Sequence, residues 1–217
     1  HKLQENLGVK LLQVRGRKAF LTDQGQLLLR RAEHMLIEAQ KLEDIANTFE
    51  QGIEPVIHLA VDVAFPEEII FSTLNQLSNL YPQTSVELYE TVLGGSIELL
   101  GNETADIAIS PSVPIALQGN KLLELEFVTV AASSHPLHQL QNLTYNDLKP
   151  YRQIVIRDSA RQRKEQGGWL QANQRWTVDH MRTSISLLTR GLGYANMPRH
   201  AIQALINQGL LAELDIS

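Results

Sequence analysis

Val56-Ile57-His58-Leu59-Ala60-Val61 is a nearly continuous apolar run, the pattern of a strand buried on both faces. Beyond Val61 the period of the apolar pattern changes. Pro66 suits the first turn of a helix, and Ile70, Leu74, Leu77 and Tyr81 fall on one face of it before Pro82 stops it. Ser85–Thr91 alternates Val86 and Leu88 as a second strand. Gly94-Gly95 then makes a turn, Ser96 caps a short helix carrying Ile97 and Leu100, and Asp106-Ile107-Ala108-Ile109-Ser110 is another buried strand. Strand, helix, strand, helix, strand with short loops is a βαβαβ unit, so the body of the chain is α/β.

Toward the C-terminus a second unit begins. Residues 122–132 form a longer strand-like run leading to Ser133-Ser134-His135-Pro136-Leu137. Residues 153–157 read as a strand and 178–190 as a helix. Gly191-Leu192-Gly193-Tyr194-Ala195 reads as a turn and short strand, 198–208 as a helix stopped by Gly209, and Leu210-Leu211-Ala212-Glu213-Leu214 as a last strand. Ligands of open α/β sheets meet the carboxyl ends of strands, where loops and helix N-termini turn N–H groups outward. Those places are Asp62-Val63-Ala64-Phe65, Thr91-Val92-Leu93-Gly94-Gly95, Arg157-Asp158-Ser159 and the Trp176-Thr177-Val178 segment before its helix.

Toward the N-terminus, Gly52-Ile53-Glu54-Pro55 is a short linker behind a long helix. Residues 23–51 hold no Pro, and no Gly apart from Gly25; Thr22 suits the N-cap and Gly52 the C′ position. Leu28, Ala32, Met35, Ala39, Leu42, Ala46 and Phe49 are spaced alternately four and three apart, a heptad seam on a helix about 43 Å long, widened by Leu27, Leu36 and Ile45. Such a helix outruns the small head before it, which favours packing against a partner helix. The head itself, residues 1–31, carries seven basic residues (Lys2, Lys10, Arg15, Arg17, Lys18, Arg30, Arg31) against Glu5 and Asp23, while the whole chain is −5. Residues 1–7 suit a helix end and Gly8 its left-handed stop. Residues 11–14 and 19–22 read as two strands around the cationic tip Arg15-Gly16-Arg17-Lys18. A helix end with a cationic hairpin behind it suits a winged helix-turn-helix with its wing on phosphates; a solvated basic turn is the alternative.

His1-Lys2-Leu3-Gln4-Glu5-Asn6-Leu7-Gly8-Val9-Lys10-Leu11-Leu12, with Arg17 and Leu21-Thr22-Asp23-Gln24-Gly25 behind it, resembles the end of the DNA-binding domain of LysR-type transcriptional regulators. The departures are Gln4 where Glu is usual, Leu12 for Phe and Val14 for Arg, the last removing a cation. The later blocks match the family's effector-binding domain in order, so the resemblance covers the whole chain. It implies residues 1–22 as the end of a winged helix-turn-helix, 23–52 as a linker and dimerisation helix, and 53–127 and 128–217 as effector-binding subdomains 1 and 2. The implied fold class is α/β: two Rossmann-like subdomains, similar to type 2 periplasmic binding proteins, preceded by a long linker helix and the remnant of an α+β winged helix-turn-helix. By the same resemblance the chain is a piece of a longer protein, missing both ends.

The resemblance also implies roles. Asp62, Val63, Ala64, Phe65, Val92, Leu93, Gly94, Arg157, Asp158, Ser159, Thr177 and Val178 would contact a small-molecule effector. His1, Lys2, Arg15, Arg17 and Lys18 would contact DNA, holding phosphates rather than reading bases. Leu28, Ala32, Met35, Ala39, Leu42, Ala46 and Phe49 would pair protomers. The implied partners are double-stranded DNA through a complete N-terminal domain, a small-molecule effector, and further copies in a homodimer or homotetramer; the location is cytoplasmic, without membrane, cofactor or metal. Where relatives carry Ser or Thr at position 62 this chain has Asp, which repels a carboxylate unless Arg157, Arg161, Arg163 or Arg175 intervenes. Either a ligand amine or hydroxyl meets Asp62, or Asp62 caps the Pro66 helix. A type 2 solute-binding protein of a transport system would share the two-subdomain body but has no use for a heptad helix and a basic wing.

Composition narrows the classes further. With 43% hydrophobic residues in 217 the chain can bury real cores. The absence of Cys excludes disulfides and thiolate chemistry, and no apolar run approaches the ~18 residues of a membrane span. No nucleophile, base and orienting group converge in any segment, so no catalysis is expected. His135-x-x-His138 has a metal-like spacing without an acidic partner. Gly94-Gly95-Ser96 lacks the Gly-x-Ser-x-Gly of a nucleophile elbow, and Gly191-x-Gly193 lacks the third glycine of a dinucleotide site. The charged loop 161–168 reads as solvated, and Trp169 and Trp176 as either core or cleft lid.

Overall fold

The computed structural model describes residues 2–15, 18–50, 53–161 and 170–216. The chain divides into two units, residues 1–55 and 56–217. In the first, α1 (Lys2–Leu7) stops at Gly8, whose φ of 64° lies in the left-handed region. Gln4 Oε1 accepts from the Leu11 and Leu12 N–H groups at 2.7 and 2.9 Å, joining this helix to the hairpin behind it. That hairpin is β1 (Leu12–Arg15) antiparallel to β2 (Lys18–Leu21), with Arg15 opposite Lys18 at the tip. Thr22 Oγ1 accepts from Gly25 N–H at 3.0 Å, the expected N-cap, and α2 (Asp23–Glu50) runs on for 28 residues. Along its seam Leu28 is half-buried, Ala32 and Ala39 are exposed, and Met35 is 73% exposed. The unit itself therefore leaves the stripe uncovered at Ala32, Met35 and Ala39. His1 and Arg17, and the side chains of Arg15, Leu42, Ala46 and Phe49, lie outside the described residues.

The second unit holds two sheets. β3 (Val56–Asp62), α3 (Glu67–Leu80), β4 (Ser85–Thr91), α4 (Gly95–Gly101) and β5 (Ile107–Ile109) form a parallel sheet in the order β4-β3-β5. Helical crossovers are what parallel neighbours require. Val61, Phe65 and Ile70 form its buried core, with Leu59, Leu74, Ile109 and Leu123 packed on it. The second sheet takes β6 (Phe127–Ala132), β7 (Arg152–Ile156), β8 (Gln174–Val178), β9 (Tyr194–Pro198) and β10 (Leu211–Glu213) in the order β10-β6-β9-β7-β8. Here β7 runs parallel to β8 and β9, while β6 runs antiparallel to β9 and β10. α5 (Tyr145–Leu148), α6 (Met181–Leu188) and α7 (Arg199–Asn207) complete it. One core joins Val130, Ile154, Leu188, Ala195, Met197, Ile202 and Leu211; another joins Ala131, Leu137, Leu143, Leu148, Tyr194 and Leu214. Among the described residues no helix is long and apolar enough to cross a membrane.

Several local expectations are corrected. The strand expected over 122–132 begins at Phe127. The helix expected over 178–190 begins at Met181, because Thr177 and Val178 belong to a strand, β8, paired with β7; β-branched residues at an edge suit that pairing. α3 begins after Pro66, which occupies its N-cap, and ends at Leu80, leaving Tyr81 outside and exposed. Ser96 does not cap α4. It sits inside that helix, fully buried, with Gly94 before it.

Candidate functional site

The parallel register sets Asp62, at the end of β3, beside Thr91, at the end of β4. The chain then turns out of both strands, and Val63 N–H donates to the Thr91 carbonyl at 2.8 Å. Asp62 is 5% exposed. Its Oδ1 accepts from Ala64 N–H at 2.8 Å and its Oδ2 from Leu93 N–H at 2.7 Å. It thus ties the two loops together rather than capping α3, which removes the capping alternative. Burial pushes the Asp62 carboxyl above its ordinary value; the nearby Asp158 charge adds to this, and the two backbone donors oppose it. Leu93, held by that bond, has φ of 53°, a conformation costing a non-glycine residue about 1–2 kcal/mol.

Val92, next to it, reaches the second sheet. Its N–H donates to Ser159 Oγ at 2.9 Å, its carbonyl accepts from Ser159 Oγ at 3.2 Å, and Ser159 N–H donates to the same carbonyl at 3.2 Å. Arg161 N–H donates to Glu98 Oε2 at 2.8 Å nearby. The approach depends on Gly95: a Cβ there would lie 1.9 Å from Ser159 Oγ. A polar clasp therefore joins the loop after β7 to the loop after β4.

Beside the clasp a cavity of about 520 Å³ opens between the sheets, a size suited to a small molecule. Asp62, Val63, Ala64, Val92 and Leu93 line it from the first sheet; Thr129, Gln153, Tyr194 and Asn196 bring polar groups from the second. The sequence reading placed the first five here and missed the last four. One signal for them was available. Asn196 interrupts an otherwise apolar strand and is the exposed residue of β9, flanked by buried Ala195 and Met197. It pairs across the sheet with Thr129. Tyr194 is 1% exposed, burial pushes its phenol pKa up, and its hydroxyl has no hydrogen-bond partner among the described residues.

The other expected residues lie elsewhere. Phe65 is buried in the first sheet's core, and Gly94 precedes α4. Asp158 accepts from Ala160 N–H at 2.9 Å within its own loop. Arg157, one of the four cations expected to offset Asp62, pairs instead with Asp179 at 2.8 Å on the surface. Arg175 is exposed on β8, and Arg163 and Trp169 lie outside the described residues. Trp176 is 42% exposed, with the Arg152 guanidinium 3.8 Å over its ring. His135 accepts from Leu137 N–H through Nδ1 and packs against Tyr151. Burial and the neighbouring His138 lower its pKa.

Comparison with known proteins places the chain among regulators. The family described as LysR substrate binding domain matches residues 50–217. The probable HTH-type transcriptional regulator YhaJ of Escherichia coli K12 is 31% identical over 97% of this chain and 72% of its own length. The uncharacterized HTH-type transcriptional regulator YeeY of the same organism is 29% identical over 98% and 71%. Among solved structures CrgA, a LysR-type transcriptional regulator from Neisseria meningitidis, superposes with a TM-score of 0.55 at 20% identity, over 98% of this chain and 74% of its own.

Proposed function

The chain belongs to the LysR-type transcriptional regulators, and from that premise we propose that a small molecule bound in the cleft between its two sheets controls how the protein engages DNA. The observation that carries this is the cavity of about 520 Å³ lined jointly by Asp62–Leu93 loop residues and by Thr129, Tyr194 and Asn196. A ligand touching both walls binds one mutual arrangement of the sheets better than others. It can shift the equilibrium between arrangements only by that difference in affinity. The Val92–Ser159 clasp is the contact most directly placed to respond, since Leu93, its neighbour, hangs from the Asp62 carboxylate.

In this reading Lys2 and Lys18, both exposed, hold phosphates together with His1, Arg15 and Arg17. A second copy covers the apolar seam of α2 from Leu28 and Met35 to Phe49. Two heads side by side fit a two-fold DNA site.

Two measurements test the proposal. The protein carrying a complete N-terminal domain should retard promoter DNA at low salt, where phosphate contacts are strongest; no retention there would sink the regulator reading. A panel of amines, polyols, organic acids and aromatic metabolites should include compounds that raise the thermal unfolding temperature. Saturation a hundredfold above Kd adds about 2.7 kcal/mol. Protection abolished by Asn196→Leu would support binding in the cleft, and protection indifferent to it would place the ligand elsewhere.

A further inference from the structure

Building on the reading of the inter-sheet cleft as a ligand site, we propose that it accepts an uncharged, hydroxyl-bearing small molecule and rejects carboxylates. Asp62 is the formal charge on the described lining of this cavity, and its carboxylate is buried. The two backbone N–H groups fix its position and leave lone pairs on both oxygens. A ligand donor can reach them. A ligand carboxylate cannot, because two like charges at contact distance in a partly dry cleft lower affinity on the order of a hundredfold.

Tyr194 supplies the complementary requirement. It is buried in the same lining, and its hydroxyl lacks a partner among the described residues. Burial raises its pKa, so it stays protonated and is ready to donate. Among the described residues nothing accepts from it, and a ligand acceptor at this wall would fill that role. An ammonium has no lone pair and fails here; a carboxylate has no proton and fails at Asp62. Hydroxyl chemistry meets both requirements, since a hydroxyl can donate at Asp62 and a hydroxyl can accept at Tyr194. Thr129 and Asn196, neighbours across β6 and β9, add a donor–acceptor pair of the kind that recognises hydroxyls. Val63, Leu93, Ile154 and Met181 give the same lining an apolar surface, so the ligand carries a hydrocarbon body.

The test holds that body constant and varies the charge: cyclohexanediol (the vicinal cis diol), cyclohexylamine and cyclohexanecarboxylate, each at up to tens of millimolar. Thermal unfolding of the 217-residue chain reads the result. The diol should protect saturably and the acid should not. Tyr194→Phe, which removes one oxygen and little volume, should weaken the diol about tenfold. Asp62→Asn should admit the acid. Stronger protection by the acid or the amine in the unaltered chain overturns the proposal, as does diol protection that neither substitution changes. Protection by none of the three also overturns the ligand class. It leaves the regulator reading standing if the protein with its complete N-terminal domain still retards promoter DNA.

Discussion

Replacing Gly95 with alanine should destabilise the chain, against what helix propensity alone predicts. In an open helix the change from Gly to Ala gains up to about 1 kcal/mol. At this position the new Cβ would lie 1.9 Å from Ser159 Oγ, 3.1 Å from Ser159 Cβ and 3.2 Å from Thr91 Cβ. Ser159 must rotate away, which breaks both Oγ hydrogen bonds to Val92. Two such bonds contribute about 1–3 kcal/mol net. Crowding against the two Cβ atoms, which cannot rotate away, adds about 1 kcal/mol. Less the propensity gain, a net loss of about 1–4 kcal/mol corresponds to a fall in Tm of roughly 2–16 °C for a chain of this length.

Urea unfolding monitored by circular dichroism measures the loss, and a double-mutant cycle identifies its cause. Ser159→Ala alone should cost about 1–3 kcal/mol. Gly95→Ala should add little on that background, because the hydroxyl it displaces is already gone. The two effects should therefore fall short of additivity by the hydrogen-bond share, about 1–3 kcal/mol. Strictly additive costs, or a Gly95→Ala chain more stable than the parent, would refute the close-contact reasoning.

Three further outcomes rest on particular side chains. Tyr194→Phe removes a buried hydroxyl that has no partner among the described residues, so the ligand-free chain should gain about 1 kcal/mol in urea unfolding; a loss of that size would show the hydroxyl to be bonded. Asp62 has a folded pKa above its ordinary 3.8 because burial disfavours its charge, so the stability it contributes is complete below 3.8 and is lost as pH rises through the raised value. Asp62→Asn should flatten the pH dependence of the urea midpoint between 3.8 and that raised value, and an unchanged slope there contradicts the assignment. Met35, 73% exposed on the α2 seam, should tolerate Asp in the monomer while losing the oligomer in sedimentation, whereas an oligomer that survives the change argues against helix pairing there.

Much of the architecture was legible along the chain because it rests on local rules. Apolar runs marked β3 and β5, the 3.6 period marked α3, and the Thr22 hydroxyl began α2 where an N-cap belongs. Errors gathered where pairing overrides local pattern. Thr177 and Val178 read as the approach to a helix, and became strand because β7 offered them a parallel edge. Residues 122–126 are as apolar as a strand, but strand begins only at Phe127, where β9 supplies a partner.

The candidate site divides in the same way. Sequence alone determined that Asp62–Ala64 and Val92–Leu93 stand at strand ends, since any parallel βαβ unit exposes its loops there. It determined the basic head and the apolar seam as well, because charge and heptad spacing are properties of the string. Only the tertiary structure decided that Asp62 bonds Leu93 across thirty-one positions of chain, that Ser159 clasps Val92 across sixty-seven, and that Thr129, Tyr194 and Asn196 complete the cleft. Those relations depend on sheet order and on which edge meets which. Such choices are settled by the packing of whole layers, and no window of neighbouring residues contains them.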